Sequence, residues 1–296
     1  MSDSTTPASQ VLRLPPIRWW RGMRQLPLIP GAVLAVVVIS AIFGPLFAPE
    51  APTFGKLSSA FIPPAWAEGG SAAHLLGTDS LGRDLLSRLI YGARISLMVS
   101  FVAIFMAGTI GTALGLIAGY FGRGVDAVIS RMVDVALALP TILMALVLVS
   151  VLRPGVGTVI IVIGSLTWAN YTRQVRGEVL TVKERDYVVL ARSIGSSDFR
   201  IMFRHILPNV FNTIIVLATL QVGAVILLEA TLSFLGLGVP PPEPSWGQMV
   251  AEGRNYIVVA WWISVFPGMA IMLTVLSMNL AGDWLRDRLD PRLRQM

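Results

Sequence analysis

TRQVRGEVLTVKERDYVVLARSIGSSDFRIMFRHILP (residues 172–208) is a polar, basic stretch set between two long apolar runs. Tyr187, Val188, Ala191 and Ile194 recur at i, i+1, i+4 and i+7, which is one face of a helix, and Asp186 is placed to cap it. Gly195 stands where a helix ends through a residue of positive φ. Ser196 and Ser197 can cap a second short helix with Phe199, Met202, Phe203 and Ile206 on its apolar face, closed by Pro208. The pattern predicts two short helices at an angle, with Arg192, Arg200 and Arg204 on their polar faces. Such an element suits either an anionic lipid surface or a soluble partner that grips it.

The flanking runs decide the class. Of 296 residues, 54% are hydrophobic and 14% charged, against roughly 25% charged in soluble domains, and the mean hydropathy is +0.71. Apolar residues cluster into six runs, near 28–48, 95–121, 129–151, 157–172, 210–236 and 259–281. About 20 helical residues cross a hydrocarbon core of roughly 30 Å, and spans this long are helices, because backbone polar groups in lipid must pair internally. The fourth run is short and borrows Trp168, Asn170 and Tyr171 as interfacial residues. With the N-terminus inside, 17 of the 23 Lys and Arg residues become cytoplasmic, as the positive-inside rule requires. The expectation is therefore an all-α, polytopic membrane protein of about six transmembrane helices with both termini cytoplasmic. Its parts are a cytoplasmic segment 1–27, a membrane domain 28–281 and a cytoplasmic tail 282–296. The domain contains an external loop with a helix (49–94), the cytoplasmic segment 172–208 and an external loop (237–258). The net charge of +6 follows from the same rule and does not call for nucleic acid.

Within the spans, Gly111, Gly115 and Gly119 repeat every fourth residue, a surface for close helix approach or for lining a pathway. Pro140 and Pro267 predict kinks, and Arg131 can pair with Asp134. Glu229 lies deep in the fifth run, two turns from Gln221. A carboxylate at that depth is costly, and contact with solute, proton carriage and helix pairing are all open. On the external side, Leu81, Leu85, Leu89 and Ile90 oppose Arg83, Asp84, Ser87 and Arg88. This predicts an amphipathic helix over 80–92 lying on the outer surface, capped by Asp79 or Ser80, with an Asp84–Arg88 pair. Residues 240–242, Trp246 and Tyr256 mark a stiff, interfacial last loop.

Catalytic chemistry is missing. No cysteine is present, the two histidines are far apart, and no phosphate loop accompanies Gly55-Lys56. A solute pump of this composition must draw energy from an ion gradient or from a separate subunit.

The stretch YVVLARSIGSSDFRIMFRHILPN (187–209) resembles the cytoplasmic coupling motif of ABC importer membrane subunits. Ala191, Gly195, Leu207 and Pro208 fall in register; Val189, Leu190 and His205 depart from the pattern's Glu, Ala and Ile. GTDSLGRDLLSRLIYGARISL (77–97), EATLSFLGLGVPPPEPSWGQM (229–249) and NLAGDWLRDRLDPRL (279–293) resemble the dipeptide, oligopeptide and nickel branch. PPAWAEGG (63–70) is most similar to the second membrane subunit of dipeptide permeases. The resemblance implies a type I ABC importer permease fold and a non-enzymatic peptide-transport subunit without cofactor. It implies ATP and Mg²⁺ on two partner ATPase subunits, a homologous second permease subunit and an external solute-binding protein. It implies ATPase coupling through Tyr187, Ala191, Arg192, Gly195, Ser196, Arg200, Leu207 and Pro208. Asp79, Arg83, Asp84 and Trp246 become candidate contacts for the external partner, and Gln221 and Glu229 candidates for the pathway or gate. Nickel or glutathione as solute, and an ion-coupled transporter, are the competing expectations.

Overall fold

The computed structural model describes residues 28–289. The expected N-terminal segment 1–27 and residues 290–296 of the tail lie outside the described residues. In chain order the helices are α1 (Leu28–Phe47), α2 (Leu85–Phe121), α3 (Arg123–Ala138), α4 (Thr141–Val151) and α5 (Val156–Val182). There follow α6 (Asp186–Ser193), α7 (Asp198–Arg200), α8 (Leu207–Phe234), α9 (Trp246–Gly253) and α10 (Trp262–Leu289). Among the described residues there is no β-strand beyond two isolated bridges, Gly55–Arg83 and Thr78–Asp84.

By length and composition α1, α2, α10 and the continuous stretch Asp198–Phe234 can each cross a membrane, and the bent pair α3–α4 makes a fifth candidate. The fourth expected run falls in α5, whose 27 residues continue well past Thr172. Its second half carries Arg173, Arg176 and Glu178, so it is less apolar than the others.

The 37 residues of α2 make a rod of about 55 Å, far longer than the roughly 30 Å of hydrocarbon. Both of its ends therefore project and organise what lies there. This corrects the expected surface helix over 80–92, which is absent. Asp84 caps α2 itself, its carboxylate accepting from the Ser87 N–H at 2.8 Å. The polar side of the first turns is buried rather than laid on a membrane surface.

The run at 129–151 is also corrected. It is two helices bent by 90°. Pro140 has no N–H to give, and it holds Leu139 in an extended conformation (φ −90°, ψ 138°). Pro267, by contrast, is accommodated inside α10. Asp134 does not pair with Arg131 but sits 3.5 Å from Arg173 on α5, because α3 packs on that helix. The same two helices are tied by a bidentate Arg176–Asp126 pair, with one N–O distance of 2.7 Å.

The glycine ladder of α2 faces α5. A Cβ at Gly111 would stand 2.5 Å from the Trp168 carbonyl oxygen, and one at Gly115 2.8 Å from that of Thr172. The ladder sets the spacing of α2 and α5.

Two separate apolar cores result. The larger occupies the bundle, around Val99, Ala103, Ile163, Val225, Ile226 and Ile263. The smaller lies at the Phe121 end of α2, where Leu116, Tyr120, Val175 and Val179 meet Val188, Ile201 and Ile206. The second core welds residues 183–206 to the ends of α2 and α5.

Candidate functional site

The segment after α5 is an elbow. Lys183 ends α5, and its Nζ donates to the Gly119 carbonyl of α2 at 2.9 Å. Helix α6 begins after Arg185. Asp186 lies within its first turn instead of capping it, where its charge still suits the helix dipole. The helix closes in a Schellman turn: Gly195 N–H donates to Arg192 O and Ser196 N–H to Ala191 O, each at 3.0 Å. Gly195 has φ +82°, and a Cβ there would meet nothing within 4 Å. Backbone conformation alone, and not crowding, makes this position suit glycine.

Ser197 caps α7, accepting from the Arg200 N–H at 3.4 Å. The chain then passes through a π-helical turn, Ile201–Ile206, directly into α8. Pro208 therefore opens α8 and does not close a separate helix, which corrects the expected break. Its missing N–H is tolerated in the first turn, and Asn209 Nδ2 donates to the neighbouring His205 carbonyl at 2.7 Å.

The π turn also changes which side chains face inward. Of the expected apolar faces, Val188, Ala191, Met202 and Ile206 are buried, joined by Ile201. Tyr187, Ile194, Phe199 and Phe203 point outward. Ile194 sits at the Schellman turn, beyond the two turns of α6, and is 82% exposed. Phe199 and Phe203 stack on each other at 4.3 Å. With Val189, Leu190 and Ile194 they are the exposed apolar side chains of an otherwise basic element, an apolar ridge of the composition that marks interaction surfaces.

Tyr120, at the end of α2, holds both arms of the elbow. Its hydroxyl donates to Asp198 Oδ1 at 2.6 Å, and the Arg192 guanidinium lies 5.4 Å from its ring centre. Of the expected coupling residues, Ala191 is buried in the second core and Leu207 is half-buried. Tyr187, Arg192, Gly195, Arg200 and Pro208 are exposed, and Ser196 is half-exposed. Tyr120, Lys183 and the ridge residues Leu190 and Phe199 are additions. Val189 and Leu190 stand off the predicted apolar faces in the sequence, whereas Phe199 and Phe203 are expected to be buried on one.

At the Leu85 end the signature 77–97 builds a buried charge cluster. Asp79 accepts from Arg83 Nε at 2.6 Å and from Arg88 Nη1, and its other oxygen takes the Leu81 and Arg83 backbone N–H groups. Glu252 of α9 accepts from Arg83 Nη2 at 2.9 Å and Arg88 Nη1 at 2.7 Å. Asp84 engages His74 Nδ1 at 3.0 Å and the Ser87 hydroxyl at 2.7 Å, so the expected Asp84–Arg88 pair is replaced on both sides. Trp246 donates from Nε1 to the Leu89 carbonyl at 2.9 Å, with its ring against Gly92. Asp79, Arg83, Asp84 and Trp246 are thus turned inward, with at most 8% exposure. Burial makes them the frame that fixes the loop 49–84 and α9 on α2.

Glu229 is fully buried. Ser233 Oγ donates to one carboxylate oxygen at 2.7 Å and Ser96 Oγ approaches the other at 3.4 Å. Ser233 Oγ is in turn 3.4 Å from Ser245 Oγ. No ion pair reaches this carboxylate among the described residues. It joins α2, α8 and the start of α9, while Gln221 is half-buried two turns away. Among the described residues no cluster of three His, Asp or Glu side chains is placed to hold a metal ion.

Residues 111–295 match the family model described as binding-protein-dependent transport system inner membrane component. The chain is 40% identical over 297 residues to the dipeptide transport system permease protein DppC of Haemophilus influenzae, covering 100% of both chains. It is 45% identical over 227 residues to the glutathione transport system permease protein GsiD of Pectobacterium atrosepticum, covering 77% of this chain and 75% of that one. Among solved structures, an inward-facing MetNI methionine ABC transporter aligns with a TM-score of 0.59 at 17% identity, over 70% of this chain and 98% of that one. That likeness is one of fold.

Proposed function

We propose a mechanism from one premise: the chain belongs to the family of binding-protein-dependent transport system inner membrane components, as a multi-pass protein of the bacterial inner membrane. It is the membrane subunit of an ABC importer, and short peptides are its solute, as the name of its full-length relative states for that protein. It pairs with a homologous membrane subunit, rests on two ATP-binding subunits and receives solute from an external binding protein. The elbow 183–206 lies on the cytoplasmic side and the loop 49–84 outside. ATP and Mg²⁺ are held by the partners, and this chain performs no hydrolysis.

One observation carries the reading: an exposed apolar ridge whose opposite face is fused into its own core with the ends of α2 and α5. The ridge is what an ATP-binding subunit grips. The fused core is why a push there moves the long helices as rigid bodies, since packed interiors transmit displacement rather than absorb it. Tyr120 and Lys183 make the joint stiff. A stand-alone ion-coupled transporter has no use for such a ridge. Glutathione is a second reading of the solute, favoured by the GsiD relative, and it is itself a short peptide.

The test is purification of the complex from its native membrane through a tag on this chain. A homologous membrane subunit and an ATP-binding subunit should copurify, and dialanine uptake into proteoliposomes should require both ATP and the binding protein. Uptake by this chain alone under an ion gradient would overturn the reading.

A further inference from the structure

Helix α5 runs beside α2 in the same direction. A Cβ at Gly111 would meet the Trp168 carbonyl, one at Gly115 that of Thr172, and one at Gly119 the Val179 side chain. Between Arg94 and Arg123, α2 carries no Asp, Glu, Lys or Arg, a length of about 42 Å that exceeds the roughly 30 Å of hydrocarbon. Residues 111–115, and with them 168–175 of α5, therefore lie about 12–18 Å in from Arg123, within the depth of the membrane.

At that depth α5 is polar on the side turned away from α2. Asn170, Arg173, Gln174, Gly177 and Thr181 recur at i, i+3, i+4, i+7 and i+11 and are all exposed, while Tyr171, Thr172, Val175, Val179 and Val182 are buried. At the same level α2 exposes Ala113 and Ile117 instead. Arg176 is held by Asp126, with one N–O distance of 2.7 Å. Arg173 is not held in that way: it is 57% exposed, and Asp134 of α3, 62% exposed, stands 3.5 Å from it. A cavity of about 210 Å³ lies between the two helices, lined by Ser130, Asp134, Thr172, Arg173 and Arg176 together with Val133.

Charged and amide side chains at membrane depth face water or a partner that pairs with them, and lipid supplies neither. A tight seam between helices uses small residues, as on the α2 ladder, whereas this face presents the long side chains of Arg173 and Gln174. We propose that this face of α5, with Asp134 of α3, is the wall of the translocation pathway in its cytoplasmic half, filled with water and passed by the short peptide. The face leads directly to Lys183 and the elbow, which is the side on which solute leaves. Its charges are of both signs, as are the two ends of a peptide. The loose Arg173–Asp134 contact suits passage rather than storage, since a conducting wall must also let go. The proposal rests on the peptide-import reading and assigns the inner wall of the pathway that reading requires.

The chain has no cysteine, so single-cysteine variants test this in the whole complex. Proteoliposomes are loaded with ATP, with binding protein and dialanine outside and trimethylammonium-ethyl methanethiosulfonate, an impermeant cation, on both faces. Asn170→Cys and Gln174→Cys should be labelled at least about tenfold faster than Phe105→Cys, on the exposed apolar face of α2, because the reactive thiolate is disfavoured in apolar surroundings. Labelling should also bring dialanine uptake down to the level without ATP, relative to the same variant unlabelled. Reaction only with the lipid-soluble N-phenylmaleimide would put lipid on this face, and reaction with neither reagent would put the second membrane subunit there. Labelling by the cation with undiminished uptake would make the face wet but off the pathway. Each of these three results overturns the proposal. Uptake by the unlabelled wild-type complex is read in parallel: its absence defeats the import reading, whereas normal wild-type uptake with any of the three defeats only the pathway wall.

Discussion

Arg88→Leu should lower the thermal midpoint of the purified complex by about 6–12 °C. Arg88 is 1% exposed and bonds both Asp79 and Glu252 through a single nitrogen. Removing one partner from a buried ion cluster costs about 3–5 kcal/mol, because the remaining charge stays desolvated. Asp79, also 1% exposed, would keep Arg83 and two backbone N–H groups, which puts the loss near the lower end, about 3 kcal/mol. For a chain of this size each kcal/mol moves the midpoint by about 2–4 °C. The cause can be separated from lost packing by adding Asp79→Asn, which removes the stranded charge. The double variant should recover part of the midpoint. A single variant as stable as wild type would mean that the cluster does not hold the loop and α9 on α2.

Leu190→Glu combined with Ile194→Glu should abolish transport while leaving the membrane domain folded. These side chains are 64% and 82% exposed, and exposed substitutions typically change stability by no more than about 0.5 kcal/mol. If the ridge is gripped by an ATP-binding subunit, two carboxylates placed in that contact are desolvated without partners. An anchor residue at an interface is worth about 2 kcal/mol or more, so affinity for the ATP-binding subunit should fall at least about 30-fold. Copurification of that subunit and ATP-driven dialanine uptake should both collapse, with the thermal midpoint of the membrane domain unchanged. Wild-type uptake by the double variant would place the docking surface elsewhere.

What the sequence disclosed depended on whether a feature is local. Gly195 could be read because positive φ is specific to residue type, and the Schellman bonds are where that reading put them. Pro140 announced a kink because it has no N–H to give, and the structure makes of it a 90° bend between two helices. The glycine ladder announced a close approach, and α5 as the partner emerged only from the packing. The polar face at 79–88 was legible as a face but not in its destination. Water and the protein's own opposite charges satisfy the same pattern, and Glu252 lies 164 residues away in sequence from Arg88. The ridge was hidden for a different reason. No residue type announces a π turn, and across Ile201–Ile206 the buried face passes to Ile201, Met202 and Ile206 while Phe203 stays exposed.

The docking of an ATP-binding subunit on the elbow is tested most directly by crosslinking, since the chain has no cysteine of its own. Ile194→Cys labelled with benzophenone maleimide, in the assembled complex, should give a photoadduct whose mass is this chain plus one ATP-binding subunit. The same label at Val36→Cys, on the exposed face of α1, should give none. An Ile194→Cys label that reacts only with lipid, in a complex that still transports dialanine, would contradict coupling through this elbow.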